Sequence, residues 1–184
     1  MTNWTTQLDN IAEELITHLG RLNFEKLNWK PNKDTWSIAE NLNHLIIVNE
    51  SYFPIFESLE QGNYKAPIIS KFGFLVSLCD KIVLNAVQPE RKKKMKIFKI
   101  WESSINQIEE NILHKFISHN YVLKEKIMNT SLFAESGTVI ASPANGCIVY
   151  NLKTTFDIII LHEKRHLVQA KEVLIQLRNL TSPY

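Results

Sequence analysis

Cysteine is scarce in this chain of 184 residues, which has only Cys79 and Cys147. Two thiols so placed make no disulfide framework and lack metal-binding spacing with each other. They read as a small buried hydrophobe and a loop residue. Glycine and proline are also sparse, at 5 and 6, while 45% of residues are hydrophobic and 22% charged. That balance argues against disorder and suits a helix-rich globular protein. No apolar run approaches the length of a membrane span; the longest, Ile158 to Leu161, sits within an amphipathic pattern. The opening Met-Thr-Asn-Trp-Thr-Thr-Gln has neither a basic start nor an apolar core, so no signal peptide is evident and a cytoplasmic protein is expected. A net charge of +2 gives no overall case for nucleic acid. The one basic run, Arg91-Lys92-Lys93-Lys94 with Lys96, reads as a solvated loop, and a phosphate or anionic-substrate contact is the minority reading.

What remains is one domain's worth of chain, enough to bury a core without staples. Four long helical patterns stand out. The first runs from about Trp4 to Leu22, with Leu8, Ile11, Ala12, Leu15, Leu19 and Leu22 on one face, Asn3 as cap and His18 beside the stripe. The second starts at Ser37, where Ser37 and Glu40 form a capping box with Trp36 as staple, and runs to about Gln61 with a break or kink at Pro54. His44 shares a face with Val48 and Tyr52. A short apolar helix is expected at about Leu75 to Ala86. The third long helix covers about Glu102 to Met128, with Ile105, Ile108, Ile112, Phe116, Leu123 and Ile127 in its stripe and His119 in the same register; His114 points elsewhere. A polar connection, Asn129 to Lys153, precedes the fourth helix, from near Thr154, with Thr154 and Asp157 as a cap pair, to near Leu180. Its core positions are Phe156, Ile159, Ile160, Leu167, Ala170, Leu174 and Leu177. The pattern predicts an all-α four-helix bundle with a long connection before the last helix.

The fourth helix carries His162-Glu163-Lys164-Arg165-His166. Spacing of four stacks the two imidazoles about one turn apart on one face, where both reach a single divalent ion. The string is HExxH, yet the chain lacks the downstream ligand of a zinc protease. Gln169 and Glu172 stand where the extended motif needs Gly and His, and no His, Asp or Glu follows Glu172. A third ligand would have to come from upstream. The competing reading is a chance pair on a surface helix.

Three stretches in order resemble the DinB/YfiT-like family, described as DinB-like metalloenzymes. They are Trp29-Lys30-Pro31 leading to Trp36-Ser37-Ile38-Ala39-Glu40-Asn41-Leu42-Asn43-His44-Leu45, then Ser142-Pro143, then Leu161-His162-Glu163-Lys164-Arg165-His166-Leu167-Val168-Gln169. The resemblance covers essentially all of residues 1–184 as a single DinB-like domain. It implies up-down-down-up topology, a homodimer, and His44, His162 and His166 as ligands of a divalent metal, zinc or nickel first. Family members with an assigned activity are thiol transferases using bacillithiol, mycothiol or glutathione, so the leading expectation is transfer of a low-molecular-weight thiol to a small electrophilic substrate. The alternatives are a hydrolase using metal-activated water and a non-enzymatic, metal-binding or stress-associated bundle.

Three imidazoles with open coordination positions form the catalytic rather than the closed structural pattern. Such an ion turns a bound thiol into thiolate, or bound water into hydroxide. Glu163 is the candidate catalytic residue, orienting water or taking a proton. A supporting role, holding a ligand or an ion pair, is favoured by its spacing to Ile159, Ile160 and Leu167 on the core side. Arg165 reads as an ion-pairing residue and Gln169 as a hydrogen-bond partner of a ligand or a helix. Tyr52 reads as aromatic core with a substrate-facing phenol as the lesser alternative, and Trp36 as packing. His119 and His18 stand next in line as third ligands.

Overall fold

Local capping chemistry sets the first three helix starts. The Asn3 side chain accepts the Thr6 N–H at 3.2 Å and opens α1 (Trp4–Leu19). Asn23 does the same for the short α2 (Phe24–Asn28). At Ser37 both halves of the capping box form, with Glu40 N–H to Ser37 Oγ at 3.0 Å and Ser37 N–H to Glu40 Oε2 at 2.7 Å, and α3 (Ile38–Glu50) follows. The second helical pattern then breaks at Ser51 and Tyr52, and Pro54 falls in the first turn of α4 (Phe53–Glu60), where its missing N–H costs nothing. Gly62, at φ 68°, ends that segment in a conformation natural only to glycine.

The structure, a computed structural model, describes residues 3–90, 98–102, 108–109 and 111–181. The basic run Arg91 to Lys96 and the predicted stripe residue Ile105 lie outside the described residues. A turn of 3₁₀ helix at Ile68–Lys71 leads into α5 (Gly73–Ala86), and another spans Lys99–Trp101. Next come α6 (Ile112–Glu135), β1 (Val139–Ser142), β2 (Asn145–Asn151) and α7 (Leu152–Thr181). The described residues are thus mostly helical, as the apolar periodicity predicts, with one small antiparallel sheet among them.

Three expectations shift. The third long helix, expected from about Glu102, starts only at Ile112: Glu102 is extended, and Asn28 takes both the N–H and the carbonyl of Ile108, at 3.0 and 2.9 Å, out of any helical ladder. The stretch expected to be a connection from Asn129 instead continues α6 to Glu135 and then forms a β-hairpin, with Ile140 opposite Tyr150 and Ala141 opposite Val149. Val139-Ile140-Ala141 and Ile148-Val149-Tyr150 are short apolar runs rich in β-branched residues, as strands are, and the surrounding Ser, Thr, Asn and Gly hide them. Helix α7 starts at Leu152, directly after the strand, rather than at Thr154. Thr154 is buried, and Asp157 accepts the Trp4 indole N–H at 2.7 Å, tying the start of α1 to α7. On the other side of the hairpin, Asp80 of α5 holds Asn151 through its backbone N–H at 3.0 Å and its side-chain amide at 2.6 Å.

Helix α3 packs on α6 and α7, α1 packs on the same two, and α5 lies against β2 and α7. The predicted stripes are the core. One apolar cluster holds Leu8, Val48, Phe56, Leu123, Phe156 and Ile160. The other holds Leu15, Leu42, Leu45, Phe116, Leu167 and Leu174. On α3, α6 and α7 the residues between the two clusters are polar and buried: Asn49, then His119 and Asn120, then Glu163. The site is built beside this polar seam.

Candidate metal centre

His44 lies two turns into α3, and His162 and His166 lie on the face of α7 that packs against α3. The three imidazoles meet, with one ring nitrogen from each within 4.8 Å of the others. Among the described residues this is the group of metal-ligating side chains that converges so closely.

Their supports fix which nitrogen faces inward. Asn41 donates its amide to the Ser37 carbonyl at 2.8 Å, which leaves its oxygen 2.7 Å from His166 Nδ1. That oxygen can only accept, so Nδ1 carries the hydrogen and the Nε2 lone pair is free. His44 Nδ1 lies 3.2 Å from the Trp101 carbonyl, with the same consequence for its Nε2. His166 Nε2 and His162 Nε2 are 3.0 Å apart. Two lone pairs so close repel unless a proton or a cation lies between them. A backbone carbonyl and an amide oxygen behind the outer nitrogens are the usual supports of metal-bound imidazoles. Trp36 walls the group, stacked on His166 at 5.7 Å and tilted against His44 at 4.8 Å.

Burial keeps the rings neutral, the form that binds a metal. Desolvation lowers the His44 pKa to about 4, partly offset by the Trp101 carbonyl. His162 falls to about 3, first by desolvation and then by the nearby His44 and Arg165. His166 is held well below the ordinary range by the same causes, led by desolvation. The residues present therefore fit a divalent ion with nitrogen ligands.

All three histidines line a cavity of about 760 Å³. Its walls are largely apolar, with Val48, Ile82, Val83, Trp101, Ile148 and Ile158, and Tyr52, Arg165 and Gln169 also face it. Arg165 donates from Nη1 to the Ala86 carbonyl at 2.7 Å, so it braces the end of α5. Glu163 does not line the cavity. It is fully buried in the seam, accepting from Asn49 Nδ2 at 2.8 Å and from Asn120 Nδ2 at 3.3 Å. Desolvation raises its pKa to about 7 against the pull of those two amides.

The reserve ligands stand apart. His18 is exposed on α1. His119 is buried on α6, stacked on Phe53 at 5.5 Å with Glu50 Oε1 3.7 Å from its Nδ1. Cys79 is half-buried on α5 and Cys147 is exposed on β2. Sequence reasoning missed Asn41, the Trp101 carbonyl and Tyr150. Asn41 had a faint signal, as a polar residue among the buried positions of α3; the carbonyl had none.

No curated protein and no solved structure matches the chain. A model of the DinB superfamily matches residues 7–106, which contain most of α1, all of α2 through α5 and His44 but neither histidine of α7. That span is more than half of the chain, which belongs to the DinB superfamily.

Proposed function

We propose that this protein is a metal-dependent enzyme whose ion is held by His44, His162 and His166, and that it transfers a low-molecular-weight thiol to a small electrophile. The observation that carries the reading is the convergence of three neutral imidazoles on a large apolar cavity, with the outer nitrogens of His166 and His44 tied to Asn41 and Trp101. When bound, a divalent ion supplies the charge that keeps a coordinated thiol deprotonated at neutral pH. Zinc and nickel suit imidazole ligands, with zinc first. Asn41 and the Trp101 carbonyl orient their rings. Trp36 and the aliphatic walls exclude water and accept the apolar part of the electrophile. The hydrolase reading is weakened, because the carboxylate that HExxH would use on water, Glu163, is turned to Asn49 and Asn120.

The domain reading extends to the whole of residues 1–184, in the up-down-down-up order of α1, α3 with α4, α6 and α7. Two parallel neighbours in that order need a long crossover, and the roughly fifty residues between α4 and α6 supply the length. No described helix is long and apolar enough to cross a membrane. A cytoplasmic homodimer completes the proposal, supported by the exposed apolar stripe Tyr121, Met128 and Leu132 along α6.

Metal content by mass spectrometry of untagged protein tests the centre. Near-stoichiometric metal is expected in wild type and its loss in both His44→Ala and His162→Ala. A chain that takes up no zinc, nickel or manganese on reconstitution would overturn the metal reading. Transfer is then measured with bacillithiol, glutathione and cysteine against monochlorobimane, by the fluorescence of the thioether formed as chloride leaves. A loaded protein that accelerates none of these reactions would return the choice to the non-enzymatic bundle.

A further inference from the structure

The cavity holds a second polar feature, made of hydroxyls. Tyr52 follows α3 and Tyr150 lies on β2; both are buried, and their phenol oxygens are 2.8 Å apart. Ser142, at the end of β1, lies beside the Tyr150 phenol, and its Oγ accepts the Ala144 N–H at 3.3 Å. All three residues line the same cavity as the histidines. The two phenols carry two hydrogens, and the contact between them consumes one. One O–H is left over. Burying it without an acceptor costs about 1–3 kcal/mol.

Either phenol can donate in that contact. Where Tyr150 donates to Tyr52, the Tyr52 hydrogen is left for the cavity. We propose that Tyr52 is a hydrogen-bond donor for the remote end of an elongated, mainly apolar ligand that carries an acceptor oxygen or nitrogen there. Tyr52 is eight residues beyond His44, about 12 Å along a helix axis. Val48, Ile148 and Ile158 line the same cavity and offer no polar partner, so the body of the ligand is hydrocarbon. The proposal rests on the cavity being a substrate site, and it names the class of molecule selected there.

The probes are 1-indanone and indane, the same fused ring with and without a carbonyl. Their binding to the full-length chain is read by quenching of tryptophan fluorescence, since Trp36 and Trp101 line the cavity. One-indanone is expected to bind about fivefold more tightly, the value of one ordinary hydrogen bond. Its carbonyl stretch should move to lower frequency in the wild-type complex, a reading that needs no variant. Both effects should vanish in Tyr52→Phe, with indane bound as in wild type, and most of the preference should survive in Ser142→Ala. Each titration is run with zinc and after chelation. A preference that survives chelation supports Tyr52 whether or not the metal reading holds. Equal binding of the two probes, binding of neither, a preference that Tyr52→Phe leaves intact, one lost in Ser142→Ala alone, or one that disappears with zinc would each overturn the proposal.

Discussion

An imidazole competes well for a metal only when its free nitrogen is already aimed, and Asn41 aims His166. Its amide hydrogen is committed to the Ser37 carbonyl, so its oxygen has to face His166 Nδ1. Asn41→Ala keeps all three ligands but frees the His166 ring to rotate. Metal affinity should fall about 10- to 100-fold, with full loading recovered at higher metal concentration. Competition against a chromophoric chelator measures this, and an unchanged affinity would remove Asn41 from the site. The two histidines of α7 were legible because a spacing of four has one meaning on a helix. Asn41 was not, since its role depends on which face of α3 meets α7, and that is decided by tertiary packing. Glu163 was half legible: its spacing to Ile159, Ile160 and Leu167 put it on the core side, while its partners Asn49 and Asn120 come from other helices.

Elements were readable where their signals are local. The Ser37–Glu40 box forms as the motif requires, and the predicted interruption falls two residues ahead of Pro54. The hairpin was not readable, because its apolar runs are only three or four residues long and sit among Ser, Thr, Asn and Gly. The capping box also separates stability from metal binding. Ser37→Ala removes the hydroxyl that accepts the Glu40 N–H, and should lower the unfolding free energy by about 1 kcal/mol. The backbone carbonyl that holds Asn41 is retained in alanine, so metal affinity should stay at the wild-type value. Chemical denaturation and the chelator competition, run on the same preparation, check both halves. A fall in affinity would mean that the start of α3 itself shifts when the cap is lost.

The histidine site and the polar seam beside it make the stability of the whole metal-free molecule depend on pH in two opposing ways. Unfolded imidazoles take up protons near pH 6.5, whereas folded His44 does so only near 4 and His162 near 3. The unfolded chain therefore binds more protons in that interval, and stability falls as pH drops below about 6.5. Glu163 acts in the other direction. Its unfolded carboxyl releases its proton near 4.5, while the folded one keeps it to about 7, so stability falls as pH rises between those values. Full burial makes this loss large, about 3 kcal/mol at most. Glu163→Gln removes the second effect and leaves the first. Asn120 Oδ1 has no hydrogen-bond partner among the described residues, so that amide can turn to accept the new Gln N–H. The variant should be more stable than wild type above pH 7, by about 1–3 kcal/mol, and should lose stability more steeply on acidification from pH 6.5 to 4.5. Its metal content should be unchanged, because Glu163 does not line the cavity. Urea unfolding of the chelated protein at intervals from pH 4.5 to 8 measures the profile. A Glu163→Gln protein less stable than wild type at pH 8 would mean that the two amides outweigh desolvation and that the seam holds an ionised carboxylate.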